Sequence, residues 1–361
     1  MKKVLNIFFY KILNIYNPEN YFNKIIRKLI VIYEKYKILY NKKILKFEEV
    51  ILVYDCKVSS PTKGDFFHLL ILLRTLQAIN FKVKIIVLIG EYRDSWLRRY
   101  NKVSIKSHLD YMYSMTKILS LKNSPSLEYK TWLEYKEYEK EIDHNKTFIL
   151  FNRKVKNRRP IYTHDINLIN YILNKNLKLQ NRVLLKSSDI KTKIKKIPSS
   201  KYIAIGCRYE SKKIGTSRNI SKDLFIKMIK KLDVLLPEQK KIIVSDERGC
   251  KHFKKISKKN SLNCLFSKDF SSDFLGDGKI ILNSNAFFQL EGGGIMEFAI
   301  FSKLPFLIST KEYTSWEYQW KKNHENSWHN LNQVYLRPSS NTEIFLSNKF
   351  FFDKLDNFLI N

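Results

Sequence analysis

The chain has 361 residues, of which 44% are hydrophobic and 14% aromatic, so two domains with sizeable cores are expected. The formal net charge of +32 comes from lysines spread through every segment beside many Asn and Ile residues, which indicates compositional bias more than a nucleic-acid-binding stripe. No zinc-finger spacing, RNP-like aromatic motif or basic-zipper heptad occurs in the sequence, so nucleic-acid binding is only a minor alternative.

The cysteine pattern and the apolar runs indicate a cytoplasmic protein. Four cysteines form neither a C-x-x-C pair nor a Cys/His cluster, which favours reduced thiols: Cys56, Cys207, Cys250 and Cys264. No uninterrupted apolar run approaches the ~20 residues of a membrane-spanning helix. The apolar stretch after Lys3 is interrupted by polar residues and lacks a small-residue cleavage site, so a signal peptide is not favoured.

Residues 1–46 are predicted to form an N-terminal amphipathic helical extension. Polar residues cluster along one face of a first helix, and apolar residues recur at spacings of three and four after Pro18. Packing of two helices on the body of the protein, with lysines in water, is favoured over membrane attachment. Peripheral contact with acidic lipid at the inner face of the membrane is the open alternative.

The first α/β unit opens the N-terminal domain, predicted for residues 47–195. Apolar runs at residues 50–54 and 83–89 predict buried strands, and the Leu- and Ile-rich run from Gly64 predicts the helix between them. Strand, helix and strand of these lengths imply a right-handed parallel crossover. Another strand is predicted at residues 147–151.

Ligands of parallel sheets bind outside the carboxyl ends of the strands, which places residues 59–65 at a candidate site. Asp65, at the start of the helix, could take a proton from a hydroxyl, although helix capping is the commoner role of Asp there. His68 lies one turn later and could face the same site, but a lone His is more often structural.

The Lys-, Pro- and Ser-rich residues 191–200 predict a linker, and the C-terminal domain is predicted for residues 196–361. This half repeats the pattern of the first, with strands at residues 202–207 and 241–244 on either side of a helix at residues 221–236. The two halves therefore predict two Rossmann-like domains.

Charged residues follow the strands of the second half. Arg208 and Arg218 could clamp a diphosphate through bidentate hydrogen bonds. Asp246 and Glu247 follow the next strand and could hold a ribose or a base, as acidic residues do at such strand ends. Each alone is more often ordinary surface, but their position at successive strand ends favours a shared site.

Three of the ten glycines of the chain are consecutive, between a predicted strand at residues 286–290 and a predicted helix at residues 295–302. A glycine-poor sequence is expected to keep such a triplet where the backbone takes positive φ or approaches another group closely. Unpaired N–H groups and the helix dipole would favour an anion such as phosphate there. Glu297 could accept a hydrogen bond from a sugar hydroxyl. The alternative, at roughly even odds, is that the glycine triplet is a plain packing junction between a strand and a helix.

Two segments resemble the bacterial heptosyltransferase-type enzymes of the GT-B glycosyltransferase fold. SSPTKGDFFHLLILLRTL, residues 59–76, is similar to their opening motif of a Ser-rich loop, Gly-Asp, a His three residues on and an apolar helix. LEGGGIMEFAIFSKLPFLI, residues 290–308, looks like the donor-binding turn. In place of the family's Asp-x-Gly and following His, this chain has Glu291, three glycines and Glu297.

The resemblance implies an α/β protein with two Rossmann-like parallel-sheet domains that face a cleft. It implies a metal-independent glycosyltransferase that moves a sugar from a nucleotide-sugar donor to a surface saccharide or lipid-linked acceptor, with Asp65 as the catalytic base. No Asp-x-Asp pair and no cofactor motif occurs in the sequence. The residues expected to bind substrate or donor are Gly64, His68, Arg208, Arg218, Asp246, Glu247, Glu291, Gly292, Gly293, Gly294 and Glu297.

Two other functions remain open on the sequence. The first is a non-catalytic basic protein of the same shape that binds anionic glycan or nucleic acid. The second is an isomerase that acts on sugar nucleotides.

Overall fold

The computed structural model describes residues 47–56, 63–89, 102–121, 125–151, 154–155, 159–160, 181–197, 201–209, 219–291, 293–309, 342–345 and 348–358. The predicted N-terminal helical extension lies outside these residues, as do Arg218 and Gly292. In the described part of the chain, no helix is long and apolar enough to span a membrane.

The first half forms a four-stranded sheet in the order β3-β2-β1-β4, in which every pair is parallel. Its strands are β1 (Glu49–Asp55), β2 (Lys82–Leu88), β3 (Leu127–Lys130) and β4 (Thr147–Phe151). The five middle residues of β1 are buried. A continuous apolar run is expected for a central strand that is covered on both faces.

Within the described residues of this half, three helices accompany the sheet: α1 (Lys63–Ala78), α2 (Lys102–Leu119) and α3 (Trp132–Lys140). Helix α1 carries the chain from the end of β1 to the start of β2, so the predicted parallel crossover is confirmed. After the sheet, β5 (Lys154–Val155) and β6 (Arg159–Pro160) form a small antiparallel ribbon.

The second half forms a six-stranded sheet in the order β12-β11-β10-β7-β8-β9, again with every pair parallel. Its strands are β7 (Tyr202–Gly206), β8 (Lys240–Val244), β9 (Cys264–Phe266), β10 (Phe287–Gln289), β11 (Phe306–Ser309) and β12 (Thr342–Phe345). Two parallel α/β sheets in one chain are the architecture of the GT-B fold, so the predicted fold class is confirmed.

The part of the second half that the structure describes has five helices beside its sheet: α4 (Lys222–Leu235), α5 (Glu247–Lys259), α6 (Phe274–Leu282), α7 (Glu297–Ile300) and α8 (Asn348–Leu355). Helix α4 starts where the sequence predicts it, because the Ser221 hydroxyl caps it by accepting a hydrogen bond from the Leu224 amide. A 3-10 turn, Gly294–Met296, leads into α7.

The two halves share one apolar core. Phe67 of α1 meets Phe298 of α7 edge-on, with ring centroids 4.9 Å apart, and stacks on Phe301 at 5.9 Å. Tyr111 of α2 meets Phe274 of α6 edge-on at 5.5 Å. Buried residues of both sheets therefore belong to a single cluster, and α1 and α2 bring the first half against α6 and α7 of the second.

Residues 181–197 connect the halves. The Leu185 amide donates to the Phe301 carbonyl at 2.8 Å, and Leu185 pairs with Ser302 as an isolated parallel bridge. Further along, the Lys195 amide donates to the Phe270 carbonyl at 2.9 Å. Because this segment contacts both halves, the domain boundary at residue 195 stays a prediction.

Arg74 of α1, in the first half, hydrogen-bonds to residues 181–197. Its side chain is 1% exposed and donates to the carbonyls of Val183 and Leu119 at 2.8 Å each. One further nitrogen reaches the Leu184 carbonyl at 3.2 Å and the Asp189 carboxylate at 2.9 Å. A single buried guanidinium thus joins α1, the end of α2 and the connecting segment.

Candidate functional site

The first component of the candidate site is the turn from β1 into α1. Gly64 and Asp65 are the second and third residues of α1, and His68 follows one turn later. The structure describes the backbone of these three residues but not their side chains. Their position beyond the carboxyl end of β1 is the one the sequence predicts, and their chemical roles remain predictions.

The second component is the glycine turn, defined here as residues 290–294, which follows β10. The strand and helix around it are shorter than predicted: β10 covers residues 287–289, and the helix is a 3-10 turn followed by the four residues of α7. Helix α7 ends at Ile300, and two residues later Ser302 pairs with Leu185. A full-length helix dipole at this turn, which the sequence suggested, is therefore absent from the described structure.

Positive φ in this turn falls on Glu291, at 69°, whereas Gly293 has extended backbone with φ 160° and ψ 160°. A non-glycine residue in the left-handed region costs about 1–3 kcal/mol and persists only where surrounding contacts hold it. Here the Glu291 amide donates to Ser309 Oγ at 3.4 Å, and Asn348 Nδ2 donates to Glu291 Oε1 at 3.1 Å. Ser309 Oγ donates in turn to Asn348 Oδ1 at 2.6 Å.

The close approach that glycine permits occurs beside this turn, around Gln289. A Cβ atom built on Gly206 would lie 2.6 Å from Gln289 Oε1, and one built on Gly293 would lie 3.0 Å from Gln289 Nε2. Gly206 and Gln289 end the neighbouring strands β7 and β10, where they are register partners. The Gln289 amide thus occupies the space between the end of β7 and the glycine turn.

Gln289 is a site residue that the sequence reasoning missed. It is 1% exposed, and its Oε1 atom has no hydrogen-bond partner among the described residues. The only signal in the sequence was a single polar residue inside the otherwise apolar run of residues 286–290.

Glu297, the first residue of α7, is also enclosed, with 3% of its surface exposed. Its carboxylate therefore lies inside the junction and not on an open surface. The predicted hydrogen bond from Glu297 to a sugar hydroxyl remains a prediction.

Arg208, Asp246 and Glu247 follow the carboxyl ends of β7 and β8, as predicted. Because β8, β7 and β10 are consecutive in the sheet, these residues and the glycine turn lie along one edge. Asp246 caps α5 by accepting the Gly249 amide at 2.7 Å, and Glu247 pairs with Lys251 at 2.6 Å on the exposed surface. These contacts give both carboxylates structural roles, and their binding of ribose or base stays a prediction.

The two components of the site are brought together by the aromatic contact between the halves. Phe67 lies two residues after Asp65, and Phe298 directly follows Glu297; their rings are in edge-on contact. The first turn of α1 therefore lies beside the segment that follows the glycine turn. One of these turns follows a strand of the first sheet, and the other follows a strand of the second.

Two parallel α/β sheets give the chain the architecture of the GT-B fold. No protein-family model and no curated protein matches the chain. Among solved structures, E. coli heptosyltransferase WaaC with ADP-2-deoxy-2-fluoro heptose is similar, with 11% identity and a TM-score of 0.40 over 73% of this chain and 90% of WaaC.

Two other solved structures are similar over most of their length. A family 9 glycosyl transferase from Veillonella parvula has 9% identity and a TM-score of 0.39 over 74% of this chain and 82% of its own. The UDP-GlcNAc 2-epimerase of Methanocaldococcus jannaschii has 10% identity and a TM-score of 0.35 over 87% of this chain and 93% of its own. At this level of identity these are similarities of fold.

Proposed function

We propose that the protein is a glycosyltransferase that moves a sugar from a nucleotide-sugar donor to a surface saccharide or lipid-linked acceptor. The observation that carries the proposal is the contact of two strand-to-helix turns, one from each parallel sheet, through Phe67 and Phe298. Such a junction can hold a donor on the second sheet and an acceptor on the first. Placing two reactants side by side removes much of the entropic barrier to their reaction.

Asp65 is the proposed general base. It removes the proton of the acceptor hydroxyl, whose oxygen forms a bond to the anomeric carbon of the donor sugar. The bond from that carbon to the diphosphate oxygen breaks in the same step, and its electron pair leaves with the nucleoside diphosphate. Arg208, Arg218 and the backbone amides of the glycine turn stabilise the negative charge of the leaving diphosphate.

Independence from metal ions belongs to the same proposal. It is supported by the lack of an Asp-x-Asp pair in the sequence and by two arginines in place of a cation for the diphosphate. Transfer is expected to continue in EDTA. Loss of transfer in EDTA with recovery on adding Mg²⁺ or Mn²⁺ would refute metal independence. The proposal of a nucleotide-sugar donor would not be affected by that result.

The first experiment is a thermal-shift screen against the 5′-diphosphates of adenosine, guanosine, cytidine, uridine and thymidine, with polynucleotides as controls. One nucleoside diphosphate is expected to stabilise the protein, by about 2.7 kcal/mol at a concentration of about 100 times Kd. Salt-sensitive stabilisation by every polyanion would instead support a basic binding protein. Conversion of a nucleotide sugar without any acceptor would support an isomerase.

A further inference from the structure

The Gln289 side chain carries an unexplained acceptor. It lies at the carboxyl end of β10 in a run of apolar residues and is 1% exposed. Its Oε1 atom is buried without a hydrogen-bond partner among the described residues. An unsatisfied buried acceptor costs about 1–3 kcal/mol, and native structures keep few of them without a reason.

The surroundings of Gln289 point to a ligand as that reason. The amide lies over Gly206, and its nitrogen faces Gly293 in the glycine turn. Apart from the chain neighbours of Gly293, Gln289 Nε2 is the one atom of the described residues within 4 Å of a Cβ built on Gly293. The amide therefore borders the space directly above the glycine turn, where the donor is proposed to bind.

The chemistry of the amide selects the ligand group. Phosphate oxygens only accept hydrogen bonds and would leave Oε1 unsatisfied. A hydroxyl both donates and accepts. The last torsion of a Gln side chain is broad and roughly two-fold, so rotation of the amide can present Oε1 to the glycine turn without moving the backbone.

We infer that Gln289 is a donor-recognition residue whose side-chain carbonyl accepts a hydrogen bond from a hydroxyl of the nucleotide sugar. This inference rests on the proposed function. The hydroxyl belongs either to the ribose or to the transferred sugar, and the same acceptor serves both. Gln289 touches the bound donor away from the reacting atoms, so it governs donor affinity more than the rate of the chemical step.

The test compares Gln289→Met with a matched buried glutamine. Gln77 is 3% exposed, but its Oε1 accepts the Leu121 amide at 2.9 Å, so Gln77→Met removes a satisfied acceptor. For each variant, calorimetry gives the midpoint of thermal unfolding without ligand. Titration gives Kd for the nucleoside diphosphate identified by the screen and for its nucleotide sugars.

Gln289→Met is expected to raise Kd about tenfold or more, because the hydrogen bond to the hydroxyl is lost, with an unchanged or higher midpoint of unfolding. Gln77→Met is expected to lower the midpoint and leave Kd unchanged. Loss of affinity for the nucleoside diphosphate itself assigns the hydroxyl to the ribose; loss only for the nucleotide sugar assigns it to the transferred sugar. Both results support the inference.

An unchanged Kd for both ligands in Gln289→Met would overturn the inference while the proposed function stands. A wild-type protein that binds no nucleoside diphosphate and no nucleotide sugar would overturn both. Should Gln289→Met fail to fold, Gln289→Asn keeps the amide but is one methylene shorter. The same tenfold loss is expected for it, and an unchanged Kd would count against Gln289.

Discussion

Glu291 shows how a single residue can fix the geometry of the glycine turn. Its positive φ is held by contacts from Ser309 at the end of β11 and from Asn348 at the start of α8. Asn348→Ala is expected to destabilise the protein by about 1–3 kcal/mol, because it removes a hydrogen-bond donor to a carboxylate that is 2% exposed. It is also expected to weaken nucleoside diphosphate binding, since the turn loses its restraint.

Chemical denaturation and calorimetric titration check the Asn348 prediction. The exposed neighbour Lys349 supplies the control, and Lys349→Ala is expected to change stability by less than about 0.5 kcal/mol. Equal effects of the two variants on nucleotide affinity would show that the Glu291 contacts do not restrain the site.

Asp65→Asn tests the proposed base at the same scale. General-base catalysis contributes about 10²–10⁴-fold, so kcat for sugar transfer is expected to fall by that factor with little change in donor Kd. Asp110 is exposed on α2, and Asp110→Asn is the matched control. Full transfer activity in Asp65→Asn would exclude Asp65 as the base.

Some of these residues could be proposed from the sequence, and others could not. Asp65 and the glycine triplet were proposed as site residues because Gly-Asp before an apolar helix and a run of glycines are local patterns. Neither the positive φ of Glu291 nor the buried amide of Gln289 could be predicted that way. Both depend on partners far along the chain, Asn348 in one case and Gly206 in the other.

At the scale of elements, the buried side chain of Arg74 hydrogen-bonds helix α1 to the end of α2 and to the connecting residues 181–197. Burial lowers the pKa of the Arg74 guanidinium, and the charge and hydrogen bond of Asp189 oppose that effect. Arg74→Ala is expected to cost about 3–5 kcal/mol, because it breaks a buried ion pair and leaves several carbonyls unsatisfied. Denaturant unfolding measures this loss.

Lys117 on α2 is exposed, so Lys117→Ala provides the control for Arg74→Ala and is expected to change stability by less than about 0.5 kcal/mol. A similarly small effect for Arg74→Ala would mean that the Arg74 hydrogen bonds contribute little to the stability of the protein. The predicted strands lie within one or two residues of the observed ones because their apolar runs are continuous. Strands β3, β9 and β12 were not predicted, and α7 was predicted too long. The pairing of Ser302, just after α7, with Leu185 could not be predicted from the local sequence.

At the scale of the whole molecule, the shared core argues against freely moving domains. Relative motion is the default for two domains unless their interface is large and hydrophobic, and here one apolar cluster contains residues of both sheets. A single cooperative unfolding transition is therefore expected in calorimetry, with calorimetric and van't Hoff enthalpies equal. Two separate transitions would contradict a common core.

Phe298→Ala probes that core where the halves meet. Removal of a fully buried ring costs about 3–5 kcal/mol, and the ring contacts Phe67 and Phe274 across two helices. Sugar transfer is expected to fall as well, since the two turns lose their common packing. The 80%-exposed Val234 provides the control, because Val234→Ala is expected to be nearly neutral.

The hydrogen bond from Asn348 to Glu291 also has a consequence for biosynthesis. During translation the glycine turn leaves the ribosome well before Asn348 is added. The nascent chain therefore contains the turn before the Asn348 side chain can donate its hydrogen bond to Glu291. A polypeptide terminated early, ahead of α8, is expected to keep the parallel pairing of β1 with β2 and β4 and yet fail to retain nucleotide. The proposed donor site is thus expected to be complete only after α8 has been synthesised.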